Sequence, residues 1–208
     1  LVGALSQKGI FEEMANVQNA MTTAQTSDIL LPTHLKTVEE FEQWQEQYAH
    51  EGSYEFVRGR IIEKKEMKQL EAFIIKFLTR IFVATSAFQS GGELFQEMDA
   101  YIDSTRKRRP DLAYFTAEQI AEMRAGQHLA TLFAIEILSD SESYKDVTDK
   151  IQDYFDAGTQ LVWYIVPGQQ KIYVYSSPDE SKAYKGTEII SAAPILPDFQ
   201  FAVADLFA

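Results

Sequence analysis

The run Leu132-Phe133-Ala134-Ile135-Glu136-Ile137-Leu138 is apolar at every position but one. A short continuous apolar run rich in branched side chains marks a strand buried on both faces, and such a strand requires a layered domain with cover on each side of a sheet. Strand alternation places Leu132, Ala134, Glu136 and Leu138 on one face and Phe133, Ile135 and Ile137 on the other. Glu136 therefore carries a carboxylate into the interior, where an ionised acid is costly without a cation or hydrogen bonds to compensate it.

A second acid stands at the mouth of another strand. Arg108-Arg109-Pro110-Asp111 leads directly into the short apolar segment Leu112-Ala113-Tyr114-Phe115. If the two strands are neighbours, Asp111 and Glu136 converge at one edge of the sheet. Two carboxylates and a backbone carbonyl are enough protein ligands for a hard cation such as Mg²⁺, which takes oxygen ligands and keeps several waters.

A third group comes from the segment that follows. Ser143 or Tyr144 to Ala157 reads as a helix closed by Gly158. On a helical wheel Val147, Ile151, Tyr154 and Phe155 form its buried stripe, with Lys150 at the stripe's edge and Tyr154 one turn on. A lysine there can keep its stem buried while its ammonium reaches over a strand end, to hold an attacking water or to stabilise charge on a phosphate.

Each residue also has a plainer reading. Glu136 can be a core carboxylate paired with an arginine, and Asp111 a turn cap after Pro110. Lys150 can be a snorkelling lysine, and the basic run Arg106 to Arg109 a solvated loop rather than a phosphate clamp formed by Arg108 and Arg109. Glu55, an accessory candidate for the metal, reads by itself as a hairpin-surface glutamate. His34, His50 and His128 are scattered and show no ligand spacing.

Around these residues the pattern predicts a layered α/β or α+β domain. Thr37 and Glu40 have capping-box spacing, and Phe41, Trp44 and Tyr48 then share a helix face before Gly52. Tyr54 to Ile62 reads as a hairpin turning near Gly59, and 66 to about 86 as a helix. Leu94–Ile102 reads as one strand, Thr116 opens a short helix, and Leu161–Val166 pairs with Lys171–Tyr175. The tail from Pro194 reads as irregular and apolar.

The 208 residues suit one domain, expected over 37–208, with an N-terminal extension over 1–36. The absence of cysteine excludes disulfides, zinc–thiolate sites and thiol catalysis and fits a cytoplasmic setting. No apolar stretch approaches a membrane span, so no membrane partner is expected. A net charge of −12 argues against indiscriminate binding to nucleic acid. The basic clusters at Arg58, Arg60, Lys64, Lys65 and Lys68 and at Arg106–Arg109 leave room for a phosphate-bearing substrate.

Taken in order, Tyr54-Glu55-x-x-x-Gly59, Arg109-Pro110-Asp111, Glu136-Ile137-Leu138-Ser139 and Lys150-x-x-x-Tyr154-x-x-Ala157-Gly158 resemble the Uma2 family. Val162-Trp163, Val174-Tyr175, Leu196-Pro197-x-Phe199 and Leu206-Phe207 extend the likeness over roughly residues 37 to 208. The family belongs to the PD-(D/E)XK nuclease superfamily. The resemblance implies a restriction-endonuclease-like core, a mixed sheet flanked by helices, with Asp111 and Glu136 binding Mg²⁺ or Mn²⁺. One departure stands out. The superfamily's lysine lies two residues after the acid, a position held here by Leu138, and in Uma2-like chains its role passes to the following helix, at Lys150. The expected activity is metal-dependent hydrolysis of phosphodiester bonds in DNA by a homodimer. The alternatives are a non-catalytic nucleic-acid-binding or protein-interaction module that keeps the fold, and a hydrolase of other phosphoesters.

Overall fold

The structure, a computed structural model, describes residues 31–49, 52–64, 67–138 and 142–208. The expected extension over 1–36 lies outside the described residues as far as residue 30.

The described chain opens with helix α1 (Val38–Tyr48). Its N-cap is Thr37, whose side chain accepts from the Glu40 backbone while Glu40 reaches back to the cap, so two of the orphan amides of the first turn are satisfied. Phe41 from α1 stacks on Phe56 at 5.2 Å, and with Leu35, Val38 and Tyr54 these rings form a small separate core. Strands β1 (Tyr54–Val57) and β2 (Arg60–Glu63) form the expected hairpin. Its two loop residues, Arg58 and Gly59, both have positive φ, at 48° and 82°, as a two-residue turn matching strand twist requires.

Helix α2 (Gln69–Phe82) is shorter than the expected span, and a separate turn of helix, α3 (Ser86–Gln89), is capped by Thr85. The segment expected as one strand is two. Strand β3 (Glu93–Gln96) and strand β4 (Ala100–Asp103) lie in different sheets, and Glu97, at a φ of 48°, redirects the chain between them. The basic run is not a loop either. Arg106–Arg108 is strand β5, paired on both sides between β1 and β4.

Strand β6 (Leu112–Phe115), helix α4 (Ala117–Arg124) capped by Thr116, and strand β7 (Phe133–Ile137) follow. Helix α5 (Tyr144–Asp156) connects β7 to strand β8 (Leu161–Val166). Strands β9 (Lys171–Ser177) and β10 (Glu180–Lys185) complete a six-stranded sheet ordered β10-β9-β8-β7-β6-β3. Only β7 and β8 run parallel in it, as expected where a helix makes the crossover. The second sheet is ordered β2-β1-β5-β4.

The tail has regular structure where the sequence reads as irregular, and its apolar residues pack down as that reading expects. Strands β11 (Ile189–Ala192) and β12 (Leu196–Ala202) form a ribbon, and helix α6 (Val203–Leu206) follows. Leu196, Phe199, Phe201 and Val203 from this tail pack with Ile74, Leu78 and Phe82 of α2 against Phe133, Ile135 and Trp163 of the large sheet. The other face of that sheet meets α5: Ala134, Val162 and Tyr164 pack on Ile151 and Tyr154. The two faces of β7 thus divide as strand alternation predicts, and Glu136 lies on the α5 side.

Candidate metal centre

Strands β6 and β7 are antiparallel neighbours with Leu112 opposite Ile135, so the next step of the ladder sets Asp111 across from Glu136. Opposed residues of an antiparallel pair project to the same face. Asp111 is fixed to its neighbour strand as well, because its Oδ2 accepts from the Ile137 amide at 2.7 Å. Glu136 is buried. Burial raises its pKa, Lys150 pulls it back and Asp111 pushes it up again, to about 7.

Helix α5 supplies the partners of Glu136. Ser143 and Asp146 form a capping box at its start, and Gly158, at a φ of 92°, ends it. Between them Ile151 and Tyr154 turn inward, which carries Lys150 to the carboxylates. Lys150 Nζ lies 3.4 Å from Glu136 Oε2, 3.0 Å from Glu142 Oε1 and 4.0 Å from Glu55 Oε1. Burial works against its charge, but Glu136 and Glu55 outweigh burial and hold its pKa well above the ordinary value. Tyr154 donates its phenolic proton to Glu136 Oε1 at 2.5 Å. Burial and then the Glu136 charge keep that phenol protonated.

The hairpin delivers two further groups. Glu55 is buried, which corrects its reading as a surface glutamate: all four residues of β1 are covered, so neither face of that strand meets solvent. Its Oε1 accepts from the Arg109 amide at 3.2 Å and its Oε2 from Arg108 at 2.8 Å. Burial opposes its charge, yet Lys150 and Arg108 bring its pKa below the ordinary value. Lys64, just past β2, was not singled out by the sequence as a site residue. Its Nζ donates to Asp111 Oδ1 at 2.9 Å and to the Arg109 carbonyl at 2.7 Å. It stands in a charged stretch that reads as solvated surface, and no local signal separates it from its neighbours.

Arg108 and Arg109 are not placed as a phosphate clamp. Arg108 is buried, and its guanidinium bridges Glu55 at 2.8 Å and Asp153 at 2.6 Å. Arg109 donates to Asp99 at 2.6 Å and to the Ser53 hydroxyl at 3.2 Å. Asp153 also receives Arg106 at 2.6 Å and Arg58 at 3.2 Å. Sequence reasoning missed Asp153 too, although a signal existed: it follows Lys150 by three positions, so the two are neighbours on the helix surface.

The donor set suits a hard cation. Asp111 and Glu136 present carboxylate oxygens on one face, and the Arg109 carbonyl points to the same place, where the Lys64 ammonium already marks a position that attracts positive charge. Among the described residues no group of three or more acidic, histidine or cysteine side chains forms a metal cage. Two carboxylates and a carbonyl oxygen are the protein donors at this position, a set that a hard cation can complete with water.

A sequence profile described as "Uma2: Putative restriction endonuclease" matches residues 38–204. The chain belongs to the Uma2 family. The crystal structure of "a putative nuclease belonging to DUF820" from Anabaena variabilis is similar, with a TM-score of 0.70 and 23% sequence identity over 83% of this chain and 98% of that one. At that identity the likeness speaks for the fold, and it bears out the nuclease-like architecture expected of a Uma2 chain. No curated protein matches the chain. Among the described residues no helix is long and apolar enough to cross a membrane.

Proposed function

We propose that this Uma2 protein is a metal-dependent endonuclease that hydrolyses phosphodiester bonds in DNA. The observation that carries this reading is the opposition of Asp111 and Glu136 across the β6–β7 ladder, with Lys150 seated on Glu136. Asp111 and Glu136 would hold Mg²⁺ or Mn²⁺, and the bound ion would polarise a phosphoryl oxygen and lower the pKa of water. Lys150 orients the attacking water and stabilises the charge that develops on the phosphate. Tyr154 holds Glu136 in place by its hydrogen bond. Glu55, itself fixed by Arg108, keeps Lys150 charged.

The same reading takes residues 37–208 as the catalytic domain and 1–36 as an extension, in a cytoplasmic homodimer. The exposed Leu70, Phe73 and Val83 on and just after α2 support self-association, and a monomer mass in light scattering would remove that part. The test of the activity is cleavage of plasmid DNA with Mg²⁺ or Mn²⁺ by wild type, Asp111→Ala, Glu136→Ala and Lys150→Ala. Loss of cleavage in all three variants is expected, and undiminished cleavage in Asp111→Ala and Glu136→Ala would refute the assignment. A non-catalytic module that binds nucleic acid or protein is the second reading, favoured by the ammonium that Lys64 already sets on Asp111. It predicts no turnover with any metal.

A further inference from the structure

We infer that Lys64 is the centre's own counter-ion, and that a divalent cation loads by exchange with its ammonium rather than by entering a vacant site. The inference rests on the metal-centre reading of Asp111 and Glu136.

Three observations carry it. First, the ammonium is held as a metal would be held, by oxygens alone: Asp111 Oδ1 at 2.9 Å and the Arg109 carbonyl at 2.7 Å. Glu136 lies close enough to favour the same charge. Second, the other oxygen of Asp111 is already engaged by the Ile137 amide at 2.7 Å, so a cation competes with Lys64 for Oδ1. Third, Lys64 is the cation best placed to yield. Lys150 has the carboxylates of Glu136, Glu142 and Glu55 within 4.0 Å, whereas the direct contacts of Lys64 are one carboxylate and one neutral carbonyl. The Lys64 and Asp111 side chains are 13% and 18% exposed, so the exchange can proceed from solvent without unfolding the sheet.

The position of Lys64 follows from the hairpin. Its amide donates to the Ser53 carbonyl at 2.8 Å, which extends the β1–β2 ladder one step past Glu63 and fixes the stem of the side chain. Four flexible carbons then leave the ammonium free to swing away while the backbone stays put.

The test is titration of Mn²⁺, followed calorimetrically without DNA, into wild type, Lys64→Met and Asp111→Asn. Methionine keeps an unbranched apolar side chain, one atom shorter than that of lysine, and removes the charge. Exchange predicts that Lys64→Met binds Mn²⁺ about tenfold or more tightly than wild type, the scale of one charge-assisted hydrogen bond, and that Asp111→Asn loses binding. A second readout uses the native protein: acetic anhydride labelling of Lys64, followed by peptide mass spectrometry, should accelerate severalfold when Mn²⁺ is added. If wild type binds Mn²⁺ and Lys64→Met binds it no better, with Lys64 labelling unchanged by metal, the exchange is refuted and the metal centre stands. If neither wild type nor Lys64→Met binds Mn²⁺, the inference and the metal-centre reading fall together. Should Lys64→Met fail to fold, labelling of the wild type decides.

Discussion

Tyr154 and Glu136, from a helix and the strand before it, meet in a 2.5 Å hydrogen bond at a point where neither side chain reaches solvent. The phenol is the donor, so the bond favours the ionised form of Glu136. Tyr154→Phe leaves one carboxylate oxygen without that donor and is expected to cost about 1–3 kcal/mol at about pH 8. The cost shrinks at about pH 5, where Glu136 is protonated and less dependent on a donor. Urea denaturation of wild type and variant at the two pH values measures the difference. An equal cost at both would separate the hydrogen bond from the charge of Glu136.

Glu136 makes the folded chain sensitive to pH. Its folded pKa is about 7 against an ordinary 4.5, so between those values the native state keeps a proton that the unfolded chain has released. Its contribution to stability is present below that window and is lost as pH rises through it, by on the order of 3 kcal/mol. Lys150, raised above its ordinary value, titrates at higher pH and does not mask the effect. In metal-free buffer, Glu136→Gln should flatten the slope and be more stable than wild type at about pH 8. On the proposed function, cleavage and metal binding would require the ionised acid and should run the other way, rising towards neutral pH.

The arginines around Asp153 should differ in worth according to depth. Arg108→Ala takes the only guanidinium from buried Glu55 among the described residues and one of three from Asp153, and is expected to cost about 3–5 kcal/mol. Arg58→Ala removes a side chain that is 57% exposed and should cost about 0–1 kcal/mol. Chemical denaturation of the two variants checks the ranking. Equal losses would mean that the network does not divide by burial.

These arginines also show where the sequence stops being readable. Glu136 was conspicuous because one acid in an apolar run violates a local pattern, and Lys150 and Tyr154 followed from helical periodicity within a single element. The strand Arg106–Arg108 violates every local expectation of a buried strand. Lys107 is 2% exposed because Glu42 and Asp99 meet its ammonium and Phe41 lies under it, and Arg108 is buried because Glu55 and Asp153 meet it. Most of those partners are remote in the chain, and charge compensation across such separations leaves no periodic trace. Lys64 was hidden for the same reason.

The tail illustrates a different blind spot. Phe199 stacks on Trp163 at 5.6 Å and contacts Phe82, Phe133 and Phe201 edge-on, yet Pro197 near the start of its strand makes the segment read as irregular. Phe199→Ala should cost about 3–5 kcal/mol, with the loss visible in thermal unfolding. A loss below about 1 kcal/mol would mean that the ribbon is peripheral to the core.

The turn at Arg58-Gly59 is the part of the hairpin that an unguided protein engineer would lengthen first. Its opposite end holds Glu55 on β1 and Lys64 just past β2, and the pairing Val57 with Arg60 sets where both of them fall. Adding one residue at the tip would slip the register, and a slip of one exchanges the two faces of a strand. Loop length, ordinarily the most freely varied property of a protein surface, is here tied to chemistry at the hairpin's far end.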